Sequence, residues 1–275
     1  MSDTRVFTGD FTRKEFRERL LAGTIKAAVV PTAATEQHEE HLHMIHDTLH
    51  VTYMAEQAAK RLCPQVVVTT PIGIGVSEHW MKHIGTLTVR PEIFCEYVYD
   101  VCHSLVRAGI ENVLILNGHG GNVKPLMRRI DEYRDKLGIN LHFQSYWDVY
   151  DPDLVFEVME GKRLPGHADE YETSTMRVLA PERINEDDID NPSAALGTKE
   201  KGEKLIEPAV AGVADILRKM IAGEEINMPP VTFRPEGRMH MITGEIVWCR
   251  MEYIHMLKEV GHQDWVVLPN RPFFR

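Results

Sequence analysis

Five of the chain's fourteen histidines fall in the short stretch from Glu36 to His50, interleaved with Glu39, Glu40 and Asp47, directly after an apolar run that ends in Pro31. Even spacing would put fewer than one histidine there. Imidazoles mixed with carboxylates are the ligand set that divalent zinc, manganese or iron prefer, so the segment reads as a metal site at a strand end. Glu36, His38 and Asp47 lead. A two-residue spacing in extended chain projects two ligands to one side, and a loop can fold the third back. One carboxylate can bridge two ions, which a paired-metal site requires at a separation of about 3.5–4 Å. The plain alternative is a solvated acidic loop.

Two other constellations carry chemistry. Residues Asn117 to Asn122 read Asn-Gly-His-Gly-Gly-Asn, a turn whose glycines let the backbone bend sharply and approach a ligand, with His119 at its centre. By itself, His119 could be a turn residue that merely satisfies nearby backbone. The third runs from Gly166 to Ser174 and holds His167, Asp169, Glu170 and Glu172 before a helix expected to open at Thr173 or Ser174. Glu172 there could simply favour the helix dipole, and Asp169 and Glu170 read as a solvated face. A histidine beside activated water can shuttle protons, which makes His167 the general acid/base candidate. The polar, aromatic run Ser77 to His83 fits a pocket wall and a surface loop equally well. Gly73 and Gly75 lack the third glycine of a dinucleotide fingerprint, and no G-x-S-x-G occurs.

These residues need a frame, and the hydrophobic pattern provides one. Strands are expected at 26–33, 65–72, 112–117 and 140–146, and helices at 12–22, 49–62, 92–108, 123–137 and 198–222. Gly23, Gly109 and Gly138 stand at or just past helix ends. Alternating strands and helices imply a mainly parallel sheet covered on both faces, a three-layer α/β/α sandwich, in which ligands collect at the strands' carboxyl ends. The Glu36–Asp47 segment and the His119 turn both follow strands. From residue 229 the composition changes to Pro, Arg, Met and aromatics, including Trp248, Tyr253, Trp265, Phe273 and Phe274. A domain of residues 1–228 is therefore expected, with 229–275 as an extension packed on it or on a neighbouring subunit.

Composition narrows the partners. A formal charge of −10, from 31 basic against 41 acidic residues with no basic tract, argues against nucleic acid and anionic membrane and for a small-molecule substrate. The four cysteines show no C-x-x-C spacing, the start has no apolar run of signal-peptide type, and no stretch approaches the roughly 18 apolar residues of a membrane span. Reduced thiols and a cytoplasmic location are expected.

Taken together, the blocks resemble the creatininase family. Val30 to His38 with Asp47 following, Gly85-Thr-Leu-Thr, Asn117 to Asn122, and His167 followed by Glu172-Thr-Ser match in order, with a weaker likeness in Gly197 to Gly202. The resemblance implies a hydrolase with two divalent metals, zinc and/or manganese with iron as a further option, often assembled as a homohexamer. It would place Glu36 and His119 on one metal, His38 on the other and Asp47 between them, with His167 transferring protons. Creatininase proper has a glutamate where this chain has Gly121, and relatives with the same glycine pair use the glutamate here numbered Glu172. Creatininase proper also has a tryptophan where this chain has Arg163, which counts against creatinine as substrate. The resemblance therefore implies opening of a small cyclic amide or related carbonyl compound, with hydrolysis of a carbon–carbon bond in an oxidised inositol ring, or formamide deformylation, as alternatives. A metal-binding protein without catalysis is the rival from another class.

Overall fold

Ala27-Ala-Val-Val-Pro-Thr32 is apolar without alternation, the pattern of a strand covered on both faces, and each of its residues is buried. In the computed structural model, which describes residues 4–249, this segment is β1. It pairs in parallel with β2 (Val66–Val68) on one side and β3 (Asn112–Asn117) on the other, and β4 (Asn140–Ser145) completes a sheet of order β2-β1-β3-β4. The helices are α1 (Arg13–Leu21), α2 (His46–Arg61), α3 (Pro91–Arg107), α4 (Gly120–Met127), α5 (Ile130–Leu137), α6 (Pro152–Val158), α7 (Glu170–Leu179) and α8 (Lys199–Ala222). One face of the sheet carries α2 and α8, the other α3, α4 and α5, which gives the expected three layers.

The strand order fixes where a site can lie. From β1 the chain crosses through α2 to β2, whereas β3 sits on the opposite flank of β1. The connections thus diverge between β1 and β3, and such a switch point opens a crevice at the carboxyl ends of the two strands.

Several boundaries differ from expectation for identifiable reasons. Regular pairing in β2 stops at Val68, ahead of Pro71, which has no N–H to donate, although Ile72 still bridges Thr32. The helix expected over 123–137 is two, α4, which opens earlier at Gly120 and holds Pro125 within it, and α5, with the break at Arg128 and Arg129. Helix α2 starts three residues early, at His46, so Asp47 lies in its first turn and not in a loop. Helix α7 opens at Glu170 instead of Thr173 or Ser174, with Asp169 as N-cap accepting from Tyr171 N at 3.1 Å.

Asp169 and Glu170 are not a solvated face, being 5% and 1% exposed. Glu170 accepts from Glu160 N at 2.9 Å, Gly161 N at 2.7 Å and Lys201 Nζ at 2.6 Å, which satisfies the buried carboxylate.

Past α8, β5 (Val231–Arg234), β6 (Gly237–His240) and β7 (Ile246–Cys249) form a small antiparallel sheet. Phe233 and Trp248 from this sheet pack on Phe156 of α6, with ring centroids 6.4 and 5.3 Å away. Tyr253, Trp265, Phe273 and Phe274 lie outside the described residues. No disulfide joins any two of Cys63, Cys95, Cys102 and Cys249, and no helix among the described residues is long and apolar enough to cross a membrane.

Helices α7 and α8 touch closely at Gly202, where a Cβ would stand 2.1 Å from the Ser174 carbonyl oxygen. Gly202→Ala would gain about 1 kcal/mol in helix propensity but forces two backbones apart, at a typical overpacking cost of up to ~3 kcal/mol. The expected net loss of roughly 1–2 kcal/mol lowers Tm by several degrees in a thermal melt. An unchanged or raised Tm would contradict this contact.

Candidate metal centre

The loop after β1 carries Glu36, Gln37 and His38 into the switch-point crevice. It is fixed from outside: Gln37 N donates to Thr86 Oγ1 at 3.1 Å, Thr35 bridges Leu87, and Glu36 N donates to Met44 O at 3.1 Å. This gives the Gly85-Thr-Leu block a structural reason to exist. Across the crevice, His119 is the N-cap residue of α4, at the end of β3. The two asparagines of its turn brace the strand ends. Asn117 Nδ2 donates to His119 O at 2.8 Å and Ser145 Oγ at 3.0 Å, and its Oδ1 accepts from Thr32 Oγ1 at 3.2 Å. Asn122 Nδ2 donates to Ala33 O and its Oδ1 accepts from Val76 N, each at 3.0 Å.

Asp47, in the first turn of α2, stands between the two sides. Its Oδ1 lies 3.1 Å from His38 Nε2 and its Oδ2 lies 3.0 Å from His119 Nδ1. Glu36 Oε1 is 3.4 Å from His119 Nδ1, and Glu172 Oε2, from the first turn of α7, is 3.6 Å from His38 Nε2. All five residues predicted to bind metal are thus together and buried, with exposures between 0% for His38 and 6% for Glu172.

The two histidines are oriented by backbone. His38 Nδ1 faces the Glu36 carbonyl at 3.1 Å, and His119 Nε2 faces the Val76 carbonyl at 3.0 Å. A carbonyl only accepts, so each of these nitrogens carries the proton and the other nitrogen of each neutral ring is a bare lone pair. Those lone pairs, His38 Nε2 and His119 Nδ1, point at carboxylate oxygens. Acceptor against acceptor is repulsive unless a proton or a cation lies between. Glu36 Oε2 and Asp47 Oδ2, both buried, accept no hydrogen bond from any described residue. The donor set therefore fits divalent cations on both sides of Asp47.

In the metal-free chain, protons take that place. Burial disfavours the charged form of His38, but Asp47 and Glu172 outweigh it and push the imidazole up to about 10. His119 is raised as well, Asp47 and Glu36 outweighing its burial. Burial also works against the Asp47 carboxylate, yet His38 and His119 hold it well below its ordinary value. Glu36 goes the other way: burial pushes it up to about 7.

His167 completes the group from the loop before α7. Gln37 Nε2 donates to His167 Nε2 at 2.7 Å, and Gln37 Oε1 is itself held by Glu39 N at 2.9 Å, which fixes the amide's direction. The ring proton then resides on Nδ1, 3.5 Å from Glu36 Oε1. Burial, and next the charge of His38, push His167 down to about 4. Trp80 stacks on this ring at 4.3 Å.

The cavity over these groups has a volume of about 300 Å³, and Trp80, Trp147, Pro165 and the Gly118–Gly121 turn supply its walls. No lysine or arginine is among the described residues that line it. A larger cavity, about 970 Å³, opens where β3 and β4 begin, and no histidine lines it.

Of the remaining histidines in the first cluster, His46 Nδ1 is 3.1 Å from Asp47 Oδ1, His41 Nε2 meets Thr173 Oγ1 at 3.0 Å, His50 is buried against Tyr146, and His43 is exposed. His46 also groups with His38, Asp47 and Glu172 at metal-ligand separations, as His79 does with Glu36 and His119. Gln37 and Trp147 had no signal in the sequence beyond, for Gln37, its place between two proposed ligands. Trp80 and His79 settle the reading of Ser77 to His83 in favour of a pocket wall.

With this geometry in hand, the likeness to known proteins is specific. The creatinine amidohydrolase (creatininase) family profile matches residues 9–196. Creatinine amidohydrolase of Pseudomonas putida is 26% identical over 255 residues, covering 78% of this chain and 96% of that protein. The 3-dehydro-scyllo-inosose hydrolase of Thermotoga maritima is 30% identical over 225 residues, covering 80% of this chain and 68% of that protein. Among solved structures, a manganese form of creatininase superposes with a TM-score of 0.71 at 27% identity, covering 78% of this chain and 98% of that one. Profile, relatives and fold agree, and the chain belongs to the creatininase family of metal-dependent hydrolases.

Proposed function

We propose that this hydrolase uses two divalent metals to open a small, neutral ring at a carbonyl group, a cyclic amide or a related compound. The observation that carries the proposal is Asp47, whose two oxygens face the lone pairs of His38 and His119. In this reading Glu36 and His119 hold one ion, His38 and Glu172 the other, and Asp47 bridges them, with zinc or manganese as occupants. Bound there, such ions polarise a carbonyl and lower the pKa of water from 15.7 toward about 7.

The chain's own residues do the rest. His167, neutral near pH 7 with its proton on Nδ1 and Nε2 held by Gln37, gives that Nδ1 proton to the leaving atom, and the proton shed by the attacking water takes its place on Nδ1. Trp80 and Trp147 offer flat apolar faces, and the lack of cationic side chains on the walls favours an uncharged substrate over an anion.

A second reading has its own support. The 30% identity to an inosose hydrolase, with Gly121 and Arg163 standing where creatininase proper has glutamate and tryptophan, favours a carbon–carbon cleavage in a keto-polyol ring. Sugar-like rings stack well on indoles, and His167 would then protonate a carbanion in place of a leaving nitrogen. A homo-oligomer, as the resemblance implies, would cover exposed apolar side chains such as Ile84, Ile74 and Tyr97.

The deciding experiment is a screen of metal-replete protein against lactams, formamides, short peptides and keto-inositols, with mass gain of one water as readout. Turnover is expected to disappear with a chelator and return with Zn²⁺ or Mn²⁺. Glu36→Gln, His38→Ala and His119→Ala should each lower kcat at least about a hundredfold while the proteins stay folded. Tight metal binding with no hydrolysis across the panel would instead make the chain a metal-binding protein.

Metal uptake also has a proton signature. His38 carries a proton at pH 7 in the metal-free chain and must lose it to become a ligand, so Zn²⁺ binding should release protons and tighten as pH rises. Calorimetry in buffers of different ionisation enthalpy measures this. Zero proton release at pH 7 would rule out His38 as a ligand.

Trp80→Ala should raise KM by about tenfold, the value of one lost aromatic face, with a smaller change in kcat. Equal KM values for parent and variant would remove Trp80 from the substrate site.

A further inference from the structure

We infer that the C-terminal sheet, which lies beyond the family match, is a working wall of the active site: strand β5 positions both the His167 loop and Trp147. The inference rests on the hydrolase reading above and adds a positioning role for Val231 and Phe233.

Strand β5 divides its backbone between two partners with the two-residue period of a strand. It runs antiparallel to β6, with Thr232 opposite Met239 and Arg234 opposite Gly237. Val231 and Phe233 turn their hydrogen-bonding groups the other way, to the hydrolase core. Val231 N donates to Asp148 Oδ1 at 2.8 Å, and the Trp147 indole Nε1 donates to Val231 O at 3.1 Å. Two residues on, Phe233 N donates to Leu164 O at 2.5 Å and Leu164 N to Phe233 O at 3.4 Å. Arg238 of β6 adds a hydrogen bond to the Asp148 carbonyl. Val231, Phe233 and Leu164 are fully buried.

Both anchor points end at the cavity. Trp147 is one of its walls, and Leu164 leads directly into Pro165, Gly166 and His167, which are three more lining positions. Across 163–167, the backbone pairing made among the described residues is the one with Phe233. Otherwise the loop backbone is held at its ends, by Glu170 at Glu160 N and Gly161 N and by Glu172 at Ala168 N, while Gln37 and Trp80 hold the His167 ring and not the backbone that carries it. A proton carrier must be placed within a fraction of an ångström, so the mid-loop clamp acts on catalysis and not merely on packing.

The test uses the full-length, metal-loaded protein and two substitutions. Phe233→Pro deletes the N–H that holds Leu164 O, and Phe233→Ala keeps the backbone but removes the ring that seats β5 on Phe156. In the folded variants, metal content per chain should match the parent and kcat should fall about tenfold or more. His167 should react severalfold faster with diethyl pyrocarbonate, mapped by mass spectrometry, with exposed His103 as internal reference. Phe233→Leu should restore both values toward those of the parent.

If either folded variant leaves kcat and His167 labelling at parental values, the proposal fails. It also fails if metal is lost, or if neither variant folds, because β5 would then be supporting the whole domain. Should the parent turn over nothing in the screen, the hydrolase reading falls, while the labelling of His167 still reports on the clamp.

Discussion

Everything at this centre follows from the burial of Asp47. A carboxylate at 3% exposure is costly unless its charge is met, and here it is met on both oxygens, by His38 on one side and His119 on the other. Neither histidine can turn away, because the Glu36 and Val76 carbonyls each fix one ring nitrogen as a donor. With Glu36 and Glu172 added, three buried carboxylates surround one small cavity. Protons on His38 and His119 relieve this only partly in the metal-free chain: burial, helped by the charge of Asp47, still pushes Glu36 up to about 7, while the two histidines hold Asp47 low. Divalent cations bound there would relieve it, and the cost of assembling the site would then become affinity for metal.

The fold exists in a form that can hold such a charge cluster still. Two parallel strands end side by side at the switch point, and the asparagines of the His119 turn tie the end of β1, the end of β3 and the Ser145 hydroxyl of β4 into one network. Asp47 and Glu172 come from the first turns of α2 and α7, where unpaired backbone N–H groups and the helix dipole favour negative charge. Rigid elements thus supply the carboxylate donors on one side, and a braced loop supplies the rest.

Much of this was readable from the chain because strand ends and ligand types are local properties. The apolar runs locate β1, β3 and β4, and the residues just after β1 and β3 are the candidate metal ligands. What was not readable depends on distant partners. Glu170 looked like a solvated face because nothing nearby in sequence announces Lys201, whose ammonium makes its burial tolerable. His46 could not be told from packing until α2 was seen to begin there, bringing its Nδ1 beside Asp47. Trp147 and Val231 meet across 84 residues, and no spacing rule reaches that far.

The departure at Gly121 shows how tightly ligand choice and backbone are linked. A Cβ at this position would lie 2.0 Å from the Val76 carbonyl and 2.5 Å from His119 Nε2, the two atoms whose mutual hydrogen bond orients the ring. A glutamate therefore cannot be added here without displacing the loop that sets His119. A second carboxylate for the His38 side would then come from another element, and Glu172 of α7 lies buried 3.6 Å from His38 Nε2, next to Asp47. Helix α7 is in turn locked to α8 at Gly202 and by the Glu170–Lys201 pair. With Glu172 as a ligand, part of the metal site would rest on the packing of two helices, α7 against α8.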